Sequence, residues 1–228
     1  MGTEKEMELF NEILYWINYV LVAILSIAFT VQFLYTLVFW LPAKKYKPAE
    51  KKHRVGIIIP ARNESAVIGD TIRCLLAQDY PKELFDIFVV ADNCTDDTAE
   101  IARAAGAVVF EHFDDDPKHK KAGYALQYGF EKILESYDVY DFFIKFDADN
   151  LMEPDYISKM NDAFDAGVQS ARGYSNSKNI TENIVSGISG LWYIRDCRFA
   201  CQARSFLGTS QMLGGAGMMF SADIIRKH

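Results

Sequence analysis

From Ile13 to Ala43 the chain runs for thirty-one residues without a charge, through a segment dominated by Leu, Ile, Val, Phe, Tyr and Trp. As a helix this stretch would measure about 46 Å, longer than the roughly 30 Å hydrocarbon core of a bilayer. Tilt, or ends lying among the headgroups, would absorb the surplus. Seventeen Leu, Ile, Val and Phe residues fall between Ile13 and Leu41. At about −0.3 to −0.6 kcal/mol each, they favour insertion by at most about −5 to −10 kcal/mol. Trp16 and Trp40 stand near the two ends, where amphipathic rings suit the interfaces. A cleaved signal peptide fits poorly. The stretch is too long, its leading flank carries Glu4, Glu6, Glu8 and Glu12, and no small-residue cleavage site follows. On the trailing side come Lys44, Lys45, Lys47, Lys51, Lys52 and Arg54, so the positive-inside rule places the remainder in the cytosol. Pro42 and Pro48 end the helix and open a linker. The expected organisation is an N-terminal segment over 1–43 with one transmembrane helix at about 13–41, a basic linker over 44–53, and a cytosolic domain over 54–228. The expected location is the cell membrane, crossed once, with the lipid bilayer as a partner.

The net charge of −7 argues against nucleic acid as a partner, because a phosphate backbone selects a basic face. Four cysteines (Cys74, Cys94, Cys197 and Cys201) are too few and too irregular for a disulfide framework. Buried thiols in a reducing compartment are the expectation.

From about residue 53 short apolar runs alternate with helical stretches. The runs are Val55–Pro60, Phe85–Ala91, Ala107–Glu111 and Asp141–Phe146. Between and after them come helices over Ala66–Gln78, over Asp96–Ala105 with Thr95 as N-cap, over Ala122–Ser136, and one opening at Pro154. Continuous apolar runs alternating with helices predict an α/β, Rossmann-like domain: a mainly parallel sheet covered by helices on both faces. Beyond residue 170 a strand over Gln169–Tyr174, a long helix over Ile180–Phe206 and a strand over Met218–Ser221 complete the reading.

In an open parallel sheet, ligands sit outside the carboxyl ends of the strands. Three polar, mostly acidic segments stand there: Pro60-Ala61-Arg62-Asn63-Glu64, Asp92-Asn93-Cys94-Thr95-Asp96-Asp97 and Asp147-Ala148-Asp149-Asn150. No Gly-x-Gly-x-x-Gly and no P-loop follows any of them, which disfavours a Rossmann dehydrogenase or a P-loop kinase. A diphosphate bound beside so many carboxylates needs its charge offset. Two carboxylates about 4 Å apart repel by about 4 kcal/mol at an effective dielectric of 20. A hard divalent cation, Mg²⁺ or Mn²⁺, relieves that repulsion and bridges to phosphate oxygens, which makes Asp147 and Asp149 the metal candidates. Asp114-Asp115-Asp116 reads instead as a solvated loop, and neither His112 nor His119 is assigned a ligand role. Lys120 and Lys121 open a helix at the end where cations oppose the dipole, so an anion contact is a reasonable purpose for them.

Taken in order, four pieces resemble the family-2 glycosyltransferases of the GT-A fold over roughly residues 54–221. They are Ile57-Ile58-Ile59-Pro60-Ala61-Arg62-Asn63-Glu64, Val89-Val90-Ala91-Asp92-Asn93-Cys94-Thr95-Asp96, Lys121-Ala122-Gly123-Tyr124-Ala125-Leu126 and Phe146-Asp147-Ala148-Asp149. The resemblance implies roles. Pro60, Ala61, Arg62 and Glu64 would contact base and ribose. Asp92, with Asn93 beside it, would read a uracil edge, and Lys121 would lie near the diphosphate. Asp147 and Asp149 would hold the metal, and Gly214-Gly215-Ala216 resembles the loop near donor sugar and acceptor. The implied reaction is inverting, metal-dependent transfer from a nucleoside-diphosphate sugar, of the UDP type, to a glycan or lipid-linked acceptor. The family's general base is expected beyond His228, so this chain reads as a fragment that binds donor but is inactive alone. Two other readings remain open: a nucleotidylyltransferase, and a membrane-tethered, non-catalytic nucleotide-sugar-binding or scaffold protein.

Overall fold

Val55, Ile57 and Ile59 point to one face of a central strand and Ile58 to the other, and all four are fully buried. That double burial is what a continuous apolar run means in a sheet covered on both sides. The computed structural model describes residues 2–38, 41, 44–116, 118–119, 121–137, 139–209 and 213–227. Trp40, Pro42 and Lys120 lie outside the described residues. In chain order the elements are α1 (Gly2–Val38), β1 (Val55–Ala61), α2 (Ile68–Leu76), β2 (Phe85–Asp92), α3 (Thr98–Ala104), β3 (Val108–His112), α4 (Ala122–Ser136), β4 (Phe142–Lys145), α5 (Tyr156–Asp165), β5 (Ser170–Arg172), α6 (Ile184–Arg195), a π-helical stretch (Asp196–Gln202), α7 (Ala203–Phe206), β6 (Met218–Ser221) and α8 (Ala222–Lys227).

The chain divides into two compact units, Met1–Lys44 with Thr181–Gln211, and Lys45–Ile180 with Met212–His228. The second holds the sheet, in the order β3-β2-β1-β4-β6-β5. β1 pairs in parallel with β2 and β4, and β2 with β3, whereas β6 runs antiparallel to both β4 and β5. The expected mainly parallel α/β sheet is therefore present. Its strand order reverses between β1 and β4, so this pair marks the switch point where such sheets bind ligands. One face packs Ile57, Ile59 and Val89 against Ile68, Ile72 and Leu75 of α2 and Ile157 and Met160 of α5. The other packs Ile58, Phe88 and Val90 against Ala125 and Ile133 of α4 and Ala222 of α8. The stretch before β1 is irregular but pinned to α5: Ala49 N–H donates to Asp162 Oδ1 (2.8 Å), and His53 N–H to Asn161 Oδ1 (2.9 Å).

In the first unit α1 is longer toward its N-terminus than the uncharged stretch required, because the glutamate-bearing flank is helical too. Acidic residues suit the positive end of the helix dipole. The helix is long and apolar enough to cross a membrane, and none of its most apolar window is buried. The π-helical stretch and α7 meet its C-terminal end: Gln202 Nε2 donates to the Leu41 carbonyl (2.8 Å), and the Arg204 guanidinium lies 5.4 Å from the Tyr35 ring centre.

Three local expectations change. The single helix expected over Ile180–Phe206 starts at Ile184, capped by a reciprocal Asn183–Ser186 box, and is interrupted by the π-helical stretch. Thr95 does not cap α3. Asp96 does the comparable work, accepting from the Thr98 N–H (3.1 Å) and hydroxyl. The four cysteines are half-buried rather than buried.

Candidate functional site

Just after both β1 and β2 stands an asparagine with left-handed backbone, Asn63 (φ 55°) and Asn93 (φ 48°). Asparagine tolerates that region better than most residues with a side chain, and each side chain then serves as a turn anchor. Asn63 Oδ1 accepts from the Thr95 N–H (2.8 Å), tying the first loop to the second. Asn93 Oδ1 accepts from the Asp114 N–H (3.0 Å), tying the second to the loop after β3. Asp114 is therefore organised, not merely solvated. The Asp116 N–H, first, and His119 hold its carboxyl below the usual range.

Between these loops Asp92 is only 4% exposed. One of its oxygens accepts from the Arg62 guanidinium. The other lies 2.9 Å from His112 Nδ1 and 2.8 Å from the Asn93 side-chain amide. A carboxylate has about four lone-pair directions, so the three contacts leave capacity for one further donor. Pro60 continues β1, paired with Val90, and Ala61 is buried beside Ala91. Glu64 contributes backbone: its N–H donates to Thr98 Oγ1 (2.8 Å), and its carbonyl accepts from Val67 and Ile68, starting α2. Hydrogen bonds from Thr98 and then Ser65 hold the Asp96 carboxyl down at about 2, so this part of the edge carries fixed negative charge.

Past β4 the chain turns at once. Asn150 Oδ1 accepts from the Asp147 N–H (2.8 Å), and the buried Thr71 hydroxyl of α2 donates to the Ala148 carbonyl (2.6 Å). The turn is thus fastened from inside and from α2. It buries Ala148 and leaves Asp149 exposed and Asp147 half-exposed. Asp147 pairs with Lys145, the last residue of β4, which is 8% exposed and whose ammonium also reaches the Gly215 carbonyl (3.3 Å). The only contact of the Asp149 carboxylate among the described residues is the Asn150 amide at 3.3 Å. β6 enters the sheet antiparallel to β4, so Met218 lies opposite Lys145, and the loop before it falls at the same edge as the aspartates. That topology explains why Gly214 and Gly215, distant in sequence, join this edge. Gly215 (φ +81°) and Gly217 (φ +70°) occupy backbone regions that favour glycine, and a Cβ on Gly217 would fall 2.3 Å from the Tyr156 hydroxyl oxygen. Lys121, exposed, caps the N-terminus of α4 without a side-chain hydrogen bond to the helix.

The structure brings Arg62, Asp92 and Asn93 together directly, and Lys145 joins Asp147 to Gly215, with Asp149 exposed two residues further along the same turn. Among the described residues no three His, Cys, Asp or Glu side chains form a ready metal cage. Asp147 and Asp149, two positions apart on the turn, are the residues that could hold a hard cation such as Mg²⁺ or Mn²⁺, which takes the rest of its oxygen ligands from phosphate and water. Three contributors escaped the sequence reading. Lys145 looks like a stray charge closing an apolar strand, His112 gains its meaning only through β2–β3 pairing, and Thr71 sits inside an ordinary helical pattern. A lysine following Phe142-Phe143-Ile144 is the one signal that could have been noticed, since a buried ammonium requires a partner.

This sheet, with its antiparallel β6 and its acidic turn at the switch point, has the GT-A architecture. The mannosyltransferase PcManGT of Pyrobaculum calidifontis, solved with GDP-Man and Mn²⁺, shares the fold with a TM-score of 0.64 at 16% identity, over 90% of this chain and 56% of that one. The 4,4'-diaponeurosporenoate glycosyltransferase of Staphylococcus aureus (strain USA300) is 40% identical over 72 residues, 31% of this chain and 18% of that enzyme. Residues 53–227 match the profile described as Glycosyltransferase like family 2, and the chain belongs to that family.

Proposed function

We propose that this protein takes part in metal-dependent transfer of a sugar from a nucleoside-diphosphate sugar, of the UDP type, to a glycan or lipid-linked acceptor, with inversion at the anomeric carbon. The observation that carries the reading is the pinned turn after β4. It presents the exposed Asp149 two residues from Asp147 at the switch point, with the Gly214–Gly215 loop leading into the adjacent strand. A divalent cation held there by Asp147 and Asp149 would supply positive charge to the departing diphosphate.

The chain's own residues have separable tasks. Arg62 holds Asp92 with one oxygen direction still open, which suits acceptance of a single N–H from a pyrimidine edge. Pro60, Ala61, Arg62, Glu64 and Asn93 frame base and ribose at the ends of β1 and β2. Lys121, placed where a cation is unfavourable to the α4 dipole, gains a counter-charge when a diphosphate binds. Gly214 and Gly215 expose backbone to the sugar, and among the described residues no atom beyond the chain neighbours comes within 4 Å of where a Gly214 Cβ would stand. In the transfer itself the acceptor oxygen bonds to the anomeric carbon, the bond from that carbon to phosphate oxygen breaks with its electron pair, and the acceptor proton passes to a base. α1 is proposed as a membrane anchor that keeps the sheet unit on the cytosolic side.

The proposal is tested by calorimetric titration of the protein with UDP and GDP in Mn²⁺. UDP is expected to bind at least tenfold more tightly, a difference of about 1.4 kcal/mol, which is the worth of one discriminating hydrogen bond. Equal affinity for the two would remove Asp92 from base recognition.

A further inference from the structure

Helix α6 is turned inside out for a helix in water. Its bulky apolar residues face solvent: Ile184 is 81% exposed, Val185 74%, Ile188 63%, Leu191 65% and Trp192 61%. The residues it buries are small, Ser186 and Gly190. At 3.6 residues per turn, the five exposed side chains fall within an arc of about 120°, with the small ones on the opposite side. A water-facing helix carries the reverse arrangement, apolar inward and polar outward. Helices that pack among lipids bury small residues and turn large ones outward.

The place of this helix in its own unit says what covers the stripe. The chain leaving α6 meets the end of α1 that follows the apolar span, through Gln202 on the Leu41 carbonyl and Arg204 over Tyr35. If α1 crosses a bilayer, Tyr35 and Leu41 stand at its boundary, so α6 is tethered at that level. Trp192 and Arg195 reinforce the assignment, the guanidinium lying 5.1 Å from the centre of the indole. An amphipathic ring with a cation over it is a pairing that headgroup regions accept.

We infer that α6 lies along a lipid surface, with the Ile184, Val185, Ile188, Leu191 and Trp192 stripe sunk to the boundary between headgroups and acyl chains. The protein would thereby hold the membrane at two places, by α1 across it and by α6 along it. This rests on the reading of α1 as a membrane span, and the experiment separates the two.

The chain has three tryptophans. Trp16→Phe with Trp40→Phe leaves Trp192 as sole reporter, and Trp40→Phe with Trp192→Phe leaves Trp16. Each variant is reconstituted into phosphatidylcholine–phosphatidylglycerol vesicles containing lipid spin-labelled either near the headgroup or midway along the chain. The expected result is blue-shifted Trp192 emission, quenched more by the headgroup-proximal label than by the mid-chain label and little by aqueous iodide. Adding Ile188→Glu to that background should reduce the lipid quenching while Trp16, in its own variant, stays quenched. Trp192 quenched by iodide and by neither lipid label would overturn the inference and leave the α1 reading intact. So would Trp192 shielded from iodide and lipid alike, since protein would then cover the stripe. Trp16 untouched by every lipid label would mean that α1 itself does not enter the bilayer, and both would fall.

Discussion

Asp149→Ala is expected to weaken UDP binding in Mn²⁺ by about 100-fold, and to leave the residual binding in chelator unchanged. The magnitude follows from what metal ligands contribute: loss of an outer-shell partner typically costs about 10–100-fold, so loss of a direct carboxylate stands at or beyond the upper end. The selectivity follows from the structure. Asp149 is exposed and takes one long contact from Asn150, so its removal breaks nothing that holds the turn. Asp147→Ala is the less clean experiment, because it leaves the ammonium of Lys145, a residue 8% exposed, without its carboxylate. A buried charge stripped of its partner costs about 3–5 kcal/mol, and less here because Asp147 keeps nearly half its surface in water. Calorimetry with and without Mn²⁺ reads the first variant, and thermal unfolding separates the second effect from it.

Phe88→Ala is expected to cost about 3–5 kcal/mol of folding stability, the range for truncating a buried aromatic ring. Phe88 is fully buried in the middle of β2. It stacks on Phe110 with ring centres 5.8 Å apart and touches Tyr137 and Tyr140 at 5.6 and 5.7 Å. Tyr140 has little freedom to fill the space, since its hydroxyl donates to Asp86 (2.7 Å) and its ring packs on Phe143. Its buried hydroxyl, with a pKa raised above the ordinary tyrosine value first by desolvation and then by Asp86, stays protonated at neutral pH. For a domain of this size the loss corresponds to about 6–20 °C in Tm. Phe113→Ala is the matched control. Phe113 is 68% exposed in the loop after β3 and should shift stability by no more than about 0.5 kcal/mol.

The parallel half of the sheet was legible because Val55–Pro60 carries no polar side chain and Phe85–Ala91 only Asp86 near its start, a pattern that a strand buried on both faces requires. The edge pair was fainter. β5 and β6 span three and four residues, too short to establish a period. The acidic turns were visible as residues, and their position followed from the rule for strand ends, but their neutralisation was not. Lys145 meets Asp147, and His112 meets Asp92, only once β4 has turned and β3 has paired. The cap of α3 was misplaced because Thr95, Asp96 and Asp97 are each capable of it. Tertiary context decides: Asp96 Oδ2 also accepts from the Ser65 N–H at 3.2 Å, a contact between loops 31 residues apart. For α6, periodicity reveals a stripe in Ile184-Val185-Ile188-Leu191-Trp192 but not which way it faces.

The central claim is that an acidic sheet edge holds a nucleoside diphosphate through a divalent cation at Asp147 and Asp149. Its most direct measurement is the affinity of the unaltered protein for UDP and for uridine, each in Mn²⁺ and again in excess chelator. The account predicts that Mn²⁺ tightens UDP binding at least about 100-fold, a gain of about 2.8 kcal/mol, and leaves uridine unaffected. UDP affinity that is the same in chelator as in Mn²⁺ would contradict it.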